Sequence, residues 1–228
     1  MVDVTGVREA VMEEAAACGR PDGVVLMAVS KTHPYEAVME AYAQGQRLFG
    51  ENRVQEIASK FPPRAQRPED MVLCLIGHLQ RNKVRKVIPL VDRIDSIDSI
   101  PLMDSIEREL ASIDRTMDVL FEVNSSGEEQ KSGFADEASL MEAVAHLSAC
   151  PHIHLAGLMT VGPLGGDEER IRSAFRYTSS LFERLDSMGL ALEVLSMGMS
   201  ADYALAIREG SSEVRIGTAI FGARTYDV

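Results

Sequence analysis

Short apolar segments alternate with helical patterns along almost the whole chain, and this alternation restricts the fold more than any other feature. The segments have the length and apolar content of strands in a parallel sheet, most clearly the first, which suits burial on both faces. Eight such segments are present, at residues 24–31, 47–50, 71–76, 92–97, 117–123, 154–160, 192–195 and 214–216. Strands separated by helices predict a parallel sheet with right-handed crossovers.

The number of units favours a closed sheet over an open one. Eight βα units within 228 residues fit a (β/α)8 TIM barrel, and a barrel of this size is one domain. We therefore predict an α/β fold with a single domain over residues 1–228 and an extra N-terminal helix at residues 3–18. An open doubly wound sheet is the main alternative, but no Gly-x-Gly-x-x-Gly motif follows the first strand, which weakens the dinucleotide-binding version.

Charge and cysteine content argue against several classes of function. The formal net charge of −12 at pH 7 is unfavourable for binding nucleic acid or an anionic membrane surface. No segment approaches the length of a transmembrane helix, and no apolar run of signal-peptide length lies near the first residue. The three cysteines are far apart and match no metal-binding spacing, so we expect reduced thiols in a cytoplasmic protein.

The first strand ends with a residue that needs an explanation. The segment Val24–Lys31 is mostly apolar but finishes at Lys31, and a turn follows at Thr32–Pro34. Functional groups of (β/α)8 barrels collect beyond the carboxyl ends of the strands. Burial lowers the pKa of a lysine, and a neutral amine is a nucleophile towards aldehydes. The alternative interpretation is that Lys31 simply extends from the strand end into water.

Small and hydroxyl-bearing residues follow the seventh and eighth strands. Gly198–Ser200 precedes a predicted helix that Ser200 is expected to cap, and Gly217 and Thr218 allow the backbone to approach a ligand closely. Barrels of this type hold phosphate at these positions with helix-end amides. Each group alone is also explained by capping or turn formation. Both groups together, opposite a strand-end lysine, favour a phosphorylated aldehyde as ligand.

Other signals have simpler explanations. Glu51 lies at a predicted helix start, where a carboxylate is favoured by the helix dipole. The pair His152 and His154 lacks a third metal ligand nearby in the sequence. Lys131 precedes Ser-Gly but lacks the upstream glycine spacing of a nucleotide-binding loop.

Six motifs together resemble a known family. They cover nearly the whole chain, at Ala28–Thr32, Phe49–Glu56, Ile76–Lys83, Gly157–Thr160, Ser196–Asp202 and Val214–Gly222. The chain resembles the pyridoxal phosphate homeostasis proteins, which are single-domain relatives of the N-terminal barrel of alanine racemase. The resemblance implies a function in vitamin B6 and amino-acid balance, without an accepted enzymatic reaction.

The same resemblance implies roles for residues around the cofactor ring. Lys31 is similar to the lysine that forms a Schiff base with pyridoxal 5'-phosphate. Arg215 is similar to the arginine that faces the pyridine nitrogen, and Asn52 and Met199 to residues that line the ring.

The resemblance also implies a phosphate cradle, the name used below for Ser200, Gly217 and Thr218. Tyr35 lies four residues after the lysine, where the racemases have a phosphate-contacting tyrosine, but this family does not generally keep one there. We therefore leave open whether Tyr35 contacts the phosphate.

We predict a monomeric carrier or regulator of the free cofactor, with apo-enzymes that need the cofactor as partners. A low-activity enzyme of the alanine racemase type is the first alternative, and a Schiff-base aldolase that binds a sugar phosphate is the second. The sequence ends at Val228, soon after Gly222, so we expect the racemases' second, β-rich domain to be absent. Their second catalytic tyrosine would be absent with it, which favours binding over catalysis.

Overall fold

Eight parallel strands close into a barrel in the computed structural model, which describes residues 2–21, 23–128, 130–163, 165 and 167–222. The strands follow one another around the barrel in chain order, and the last pairs with the first. They are β1 (Val25–Val29), β2 (Leu48–Glu51), β3 (Val72–Leu75), β4 (Arg93–Ile97), β5 (Met117–Glu122), β6 (Ile153–Met159), β7 (Val194–Met199) and β8 (Glu213–Ile216). The eight predicted strands and the (β/α)8 TIM barrel are confirmed. The single domain over residues 1–228 includes positions outside the described ranges and stays a prediction.

A helix follows each strand, and α1 precedes β1, which confirms the predicted N-terminal helix. The helices in the described ranges are α1 (Val4–Ala17), α2 (Tyr35–Ala43), α3 (Val54–Lys60), α4 (Val84–Val87), α5 (Ile100–Ser112), α6 (Glu137–His146), α7 (Glu168–Leu185), α8 (Tyr203–Arg208) and α9 (Thr218–Phe221). Aspartates start several of them: Asp3 Oδ1, for example, accepts a hydrogen bond from Gly6 N at 2.9 Å. None of these helices is long and apolar enough to cross a membrane.

One face of each strand packs against the helices and the other points into the barrel, as expected for a barrel strand. On β1, Leu26 and Ala28 belong to the large apolar core between the strands and the helices. Met27 points to the opposite face, where its sulfur would lie 2.6 Å from a Cβ atom placed on Gly50. A glycine on β2 thus leaves room inside the barrel for the Met27 side chain.

The barrel interior also contains charged side chains that the sequence analysis did not predict. Arg93 on β4 donates through Nε to Asp95 Oδ1 at 2.6 Å and through Nη2 to Asp95 Oδ2 at 2.8 Å. The same Nη2 donates to both carboxylate oxygens of Glu213 on β8, at 2.9 and 2.7 Å. Because β4 and β8 lie on opposite sides of the barrel, this network crosses its interior. Arg93 and Asp95 also make the predicted strand at 92–97 less apolar than that at 117–123.

Candidate functional site

The predicted site residues lie on one arc of the barrel rim. Apart from Arg215, which lies within β8 just below the rim, they end or follow β7, β8, β1 and β2, which are consecutive around the barrel. Strand pairing aligns Met199 with Arg215, Ala28 with Ile216 and Val29 with Gly50, so the carboxyl ends of these strands are level. The structure therefore brings together Lys31, Asn52, Met199, Ser200, Arg215, Gly217 and Thr218.

Lys31 lies in a tight turn just beyond β1. The strand ends at Val29, and the turn is closed by His33 N, which donates to Ser30 O at 3.1 Å. Lys31 itself is half-buried. The next residue, Thr32, has φ of +67°, a left-handed conformation that costs a residue with a side chain about 1–2 kcal/mol. Contacts from the surrounding structure must offset this cost.

Those contacts come from Lys60, the last residue of α3. Its Nζ donates to Ser30 O at 2.8 Å and to His33 O at 3.0 Å, at the two ends of the turn. It also forms ion pairs with Glu51 and, at 3.4 Å, with Glu56. We refer to Lys60, Glu51, Glu56 and Ser30 as the Lys60 network.

Glu51 does not start a helix, so that prediction was wrong. It is the last residue of β2, it is fully buried, and α3 begins only at Val54. Its Oε1 accepts from Ser30 Oγ at 2.6 Å, whereas Oε2 has no hydrogen-bond partner among the described residues. Burial raises the pKa of this carboxyl, and the adjacent Lys60 opposes that effect. An acidic residue at a predicted helix start proved to be a buried partner for a lysine.

Asn52 offers an unused acceptor at the rim. Its side-chain Oδ1 is buried and has no hydrogen-bond partner in the described part of the chain. A Cβ atom on Gly77 would lie 2.3 Å from the Asn52 carbonyl oxygen. Only glycine therefore lets the loop after β3 pass this closely, and that loop fixes the Asn52 backbone.

The prediction that Ser200 caps a helix was also wrong. Ser200 is exposed, and α8 begins at Tyr203, after Asp202. Asp202 Oδ1 accepts from Met199 N at 2.6 Å and so closes the turn in which Ser200 lies. Asp202 occupies the N-cap position of α8, but its side chain bonds Met199 N and caps no N–H group of the helix.

Gly217 and Thr218 lie where β8 passes into the short helix α9, which the sequence analysis did not predict. A Cβ atom on Gly217 would lie 2.9 Å from Val29 O, so this position packs directly against the end of β1. The N–H groups of Thr218 and Ala219 are in the first turn of α9 and have no acceptor within the helix. Backbone donors therefore adjoin the turn that carries Lys31.

Arg215 is held rigidly below this rim. Its Nη1 donates to Ser196 O and Ser196 Oγ, both at 2.7 Å, and its Nη2 donates to Thr160 O at 2.7 Å. The side chain is buried, and burial lowers the pKa of the guanidinium, while Glu213 and other nearby carboxylates oppose that effect. An arginine stays protonated at any accessible pH.

Glu122 is a rim residue that the sequence analysis missed. It ends β5, is buried, and accepts from Ser132 Oγ at 2.8 Å through Oε1. Its Oε2 lacks a hydrogen-bond partner within the described ranges, and burial raises the pKa of the carboxyl. The signal was present, because a charged residue at the end of a strongly apolar strand is the feature that identified Lys31.

Two other sequence signals have structural roles. The Tyr35 ring packs edge-on against Phe61, with centroids 5.6 Å apart, which gives it a place in the packing between α2 and α3. His152 Nδ1 lies 2.6 Å from Glu107 Oε1, and His154 Nδ1 lies 2.8 Å from Asp118 Oδ1. The two histidines thus contact different carboxylates and do not form a common site.

Comparison with known proteins gives the family. A sequence profile of the alanine racemase N-terminal domain matches residues 7–225. The pyridoxal phosphate homeostasis protein of Vibrio alginolyticus is 42% identical over 212 residues, which cover 92% of this chain and 91% of that protein. The structure of PipY from Synechococcus elongatus PCC7942 with PLP bound is 36% identical, with a TM-score of 0.80, and the match covers 93% of this chain and 100% of that one.

The fold also extends to more distant proteins. Alanine racemase of Clostridium difficile 630 superposes with a TM-score of 0.76 at 15% identity, over 99% of this chain and 59% of that one. At that identity the match supports the barrel fold alone. The close matches, which span almost the whole chain, show that it belongs to the pyridoxal phosphate homeostasis protein family.

Proposed function

We propose that this chain binds pyridoxal 5'-phosphate at the arc formed by the ends of β7, β8, β1 and β2, with Lys31 as the point of covalent attachment. The observation that carries the proposal is the contact between Gly217 and Val29, because it brings the phosphate cradle against the strand that leads to Lys31. The homeostasis proteins named above and the PLP-bound PipY structure support the same ligand.

The residues present fit such a ligand. The first-turn N–H groups of Thr218 and Ala219, together with the exposed Ser200 hydroxyl, are donors suited to a phosphate. Charge-assisted hydrogen bonds of this kind contribute roughly 1.5–3 kcal/mol each. Asn52 has a buried acceptor without a partner among the described residues, which a donor on a bound molecule would satisfy.

The cofactor, when bound, supplies an aldehyde that condenses with a lysine amine and releases one water, so no oxidant or further reactant is needed. Lys31 would provide the amine of this Schiff base. Arg215, fixed by Ser196 and Thr160, would present a permanent positive charge to the ring. That charge disfavours a proton on the ring nitrogen, because two like charges would then adjoin. By keeping that nitrogen unprotonated, Arg215 would weaken the withdrawal of electrons that the cofactor could supply.

This restraint is one reason to favour a carrier or regulator, and the second is the family resemblance, which implies no accepted enzymatic reaction. We propose that the protein binds the cofactor as a monomer in the cytoplasm, within one domain over residues 1–228, and exchanges it with apo-enzymes. The three cysteines are free thiols, which fits a reducing compartment. The alternative is a low-activity enzyme of the alanine racemase type.

The primary test is chemical. Purified protein mixed with pyridoxal 5'-phosphate should develop the absorbance band of a lysine Schiff base, and borohydride should remove the band and leave a stable adduct on Lys31. Lys31→Ala should lose the band, and Lys83→Ala should keep it. An adduct found mainly on Lys83 or Lys131 would refute the assignment.

Two further measurements separate the possible functions. Pyridoxal without phosphate should bind far more weakly, and equal affinity for the two forms would refute the phosphate cradle. Deuterium exchange at Cα of L-alanine, followed by NMR, should be negligible in the wild type. Exchange at enzyme-like rates that depends on Lys31 would show an enzyme, whereas transfer of the cofactor to an apo-enzyme would support a carrier.

A further inference from the structure

The Lys60 network contacts the Lys31 turn at both of its ends. Lys60 Nζ donates to the carbonyl oxygens of Ser30 and His33, the residues on either side of Lys31 and Thr32. Glu56 Oε1 accepts from Thr32 N at 2.5 Å, and Glu51 Oε1 accepts from Ser30 Oγ at 2.6 Å. Ser30, Thr32 and His33 are therefore each bonded to Lys60, Glu51 or Glu56.

Formation of the Lys60 network costs free energy, because two charged side chains must leave water. This cost indicates that function constrains the geometry of the network. The side chains of Lys60 and Glu51 are 7% and 0% exposed, so their charges are removed from water. Glu51 Oε2 accepts no hydrogen bond from any described residue, so the pairing is not optimised for stability alone. Buried, incompletely satisfied groups are most common where function constrains the structure.

The opposite side of the turn contacts α9, next to the phosphate cradle. The His33 ring stacks on Phe221 at the end of α9, with centroids 5.2 Å apart and planes inclined by 28°. The turn is thus fixed between the Lys60 network on one side and α9 on the other. A shift of the turn away from α3 would change the distance between Lys31 and the cradle.

We infer that Lys60 is a positioning residue, which holds the Ser30–His33 turn in its left-handed conformation and thereby sets the place of the Lys31 amine relative to the phosphate cradle. This inference rests on the proposed function, since it concerns the efficiency with which Lys31 reacts with a bound phosphorylated aldehyde. Glu51 and Glu56 act through Lys60 and the turn, without a predicted contact to the ligand.

The arrangement suits a lysine better than an arginine. An ammonium group directs its hydrogens in three separate directions, and Lys60 Nζ lies among two carbonyl oxygens, the Glu51 carboxylate and, at 3.4 Å, the Glu56 carboxylate. A planar guanidinium carries its donors in a rigid fork and cannot converge on these acceptors in the same space. Lys60→Arg therefore keeps the charge and loses the geometry.

The test uses variants that separate positioning from stability. Lys60→Met alone leaves the Glu51 charge buried without a partner, so it is paired with Lys60→Met/Glu51→Gln, in which that charge is removed. Lys86→Met, at an exposed lysine on α4, is the matched control. Each protein is checked for folding by thermal unfolding before ligand is added.

The main readouts are the rate of Schiff-base formation with pyridoxal 5'-phosphate and the affinity for pyridoxine 5'-phosphate, which has the phosphate but no aldehyde. In the double variant we expect the rate to fall about tenfold or more, since small displacements of a reacting group have effects of this size. The affinity for pyridoxine 5'-phosphate should stay within about twofold of the wild type, because the cradle contacts are retained. Lys60→Arg should not restore the rate, and Lys86→Met should match the wild type.

A readout without ligand tests the turn directly. The Thr32 and His33 amides should exchange with deuterium about tenfold faster or more in the double variant than in the wild type, because the turn loses two of its anchors. An unchanged Schiff-base rate would overturn the inference and leave the proposed function intact. Equal losses of rate and of pyridoxine 5'-phosphate affinity would also overturn it, since Lys60 would then only support the fold. If the wild type itself forms no Schiff base, the proposed function fails, and amide exchange alone decides whether Lys60 holds the turn.

Discussion

The interior of the barrel and its rim contain buried carboxylates in two different states. In the interior, both oxygens of Asp95 and both oxygens of Glu213 accept hydrogen bonds from Arg93. At the rim, Glu51 and Glu122 each keep one oxygen without a partner among the described residues. All four side chains are buried, so exposure to water does not explain the difference.

The difference indicates separate roles for the two regions. An unsatisfied buried acceptor costs about 1–3 kcal/mol, so a region that serves stability alone is expected to avoid it. The interior network ties β4 to β8 and meets that expectation. At the rim three buried acceptors lack a partner among the described residues, those of Glu51, Asn52 and Glu122, and the first two lie on the arc that we propose binds a cofactor. Four experiments can contradict or refine this comparison.

The largest effect is expected in the interior. Arg93→Met leaves Asp95 and Glu213 buried without their counter-ion, and removal of one partner from a buried pair typically costs about 3–5 kcal/mol of unfolding free energy. Urea denaturation measures this loss. Adding Asp95→Asn and Glu213→Gln should recover part of it, because the uncompensated charges are then removed. A loss below about 1 kcal/mol would mean that water or a rearranged neighbour replaces Arg93.

At the rim we expect a moderate effect on ligand binding from Gly217→Ala. The new Cβ atom would meet Val29 O at 2.9 Å, so either β1 or the start of α9 must move. We expect the affinity for pyridoxal 5'-phosphate to fall about tenfold, which corresponds to about 1.4 kcal/mol. Gly23→Ala, whose nearest contact is a side-chain atom of Arg20 at 3.2 Å, is the control and should bind as the wild type. Unchanged affinity in Gly217→Ala would argue against a closely fitted cradle.

The state of Glu122 can be tested through the pH dependence of stability. Burial raises its pKa above the ordinary 4.5, so the folded protein holds the proton more tightly than the unfolded chain does. Its contribution to stability is therefore greatest below the unfolded pKa and is lost as pH rises through the folded pKa. Glu122→Gln lacks this loss, so the variant should gain on the wild type as pH rises, by up to about 1.4 kcal/mol for each unit of pKa difference.

Urea denaturation of both proteins at acidic and at mildly alkaline pH measures this effect. Glu183→Gln, at an exposed position on α7, controls for the general change in charge. The same stability difference between Glu122→Gln and wild type at both pH values would show that the folded protein holds the Glu122 proton no more tightly than the unfolded chain does.

The smallest effect is expected at Arg67, an unsatisfied group away from the rim. Its side chain is 1% exposed, Nη2 donates to Leu90 O at 2.9 Å, and the Asp92 carboxylate lies 4.0 Å from Nη2. Nε and Nη1 find no acceptor in the described ranges. Arg67→Met should change the unfolding free energy by no more than about 1 kcal/mol, or raise it, because a buried charge without a close partner adds little stability. A loss above about 2 kcal/mol would show that this guanidinium has an unseen partner.

The strands could be predicted from the sequence because most parallel barrel strands are apolar on both faces. The same reasoning could not find the Arg93 network, since charges at 93 and 95 only weaken the apolar pattern and say nothing about a partner on β8. Pairing across the barrel depends on strand order and register, which appear only in three dimensions.

At the candidate site, too, some residues could be predicted from the sequence and others could not. Strand-end positions led to the prediction of Lys31, Gly217 and Thr218, because the fold class itself states where functional groups collect. The role of Asn52 was instead implied by the family resemblance. Lys60 was not predicted to be part of the site. It lies at the C-terminal end of α3 and reaches the Lys31 turn only through the packing of that helix. Ser200 and Glu51 were assigned to helix starts that begin two or three residues later, and boundaries of this kind depend on local turns such as that closed by Asp202.

Closure of the barrel between β1 and β8 has a consequence for the order of assembly. These two strands are paired over Val25–Ala28 and Glu213–Ile216, at opposite ends of the chain. During synthesis one edge of β1 therefore stays unpaired until β8 has been made. Exposed strand edges are where chains associate wrongly, and such distant pairings form slowly. The residues that surround Lys31 can reach their final arrangement only after this last pairing, so the site should be the last part of the molecule to mature.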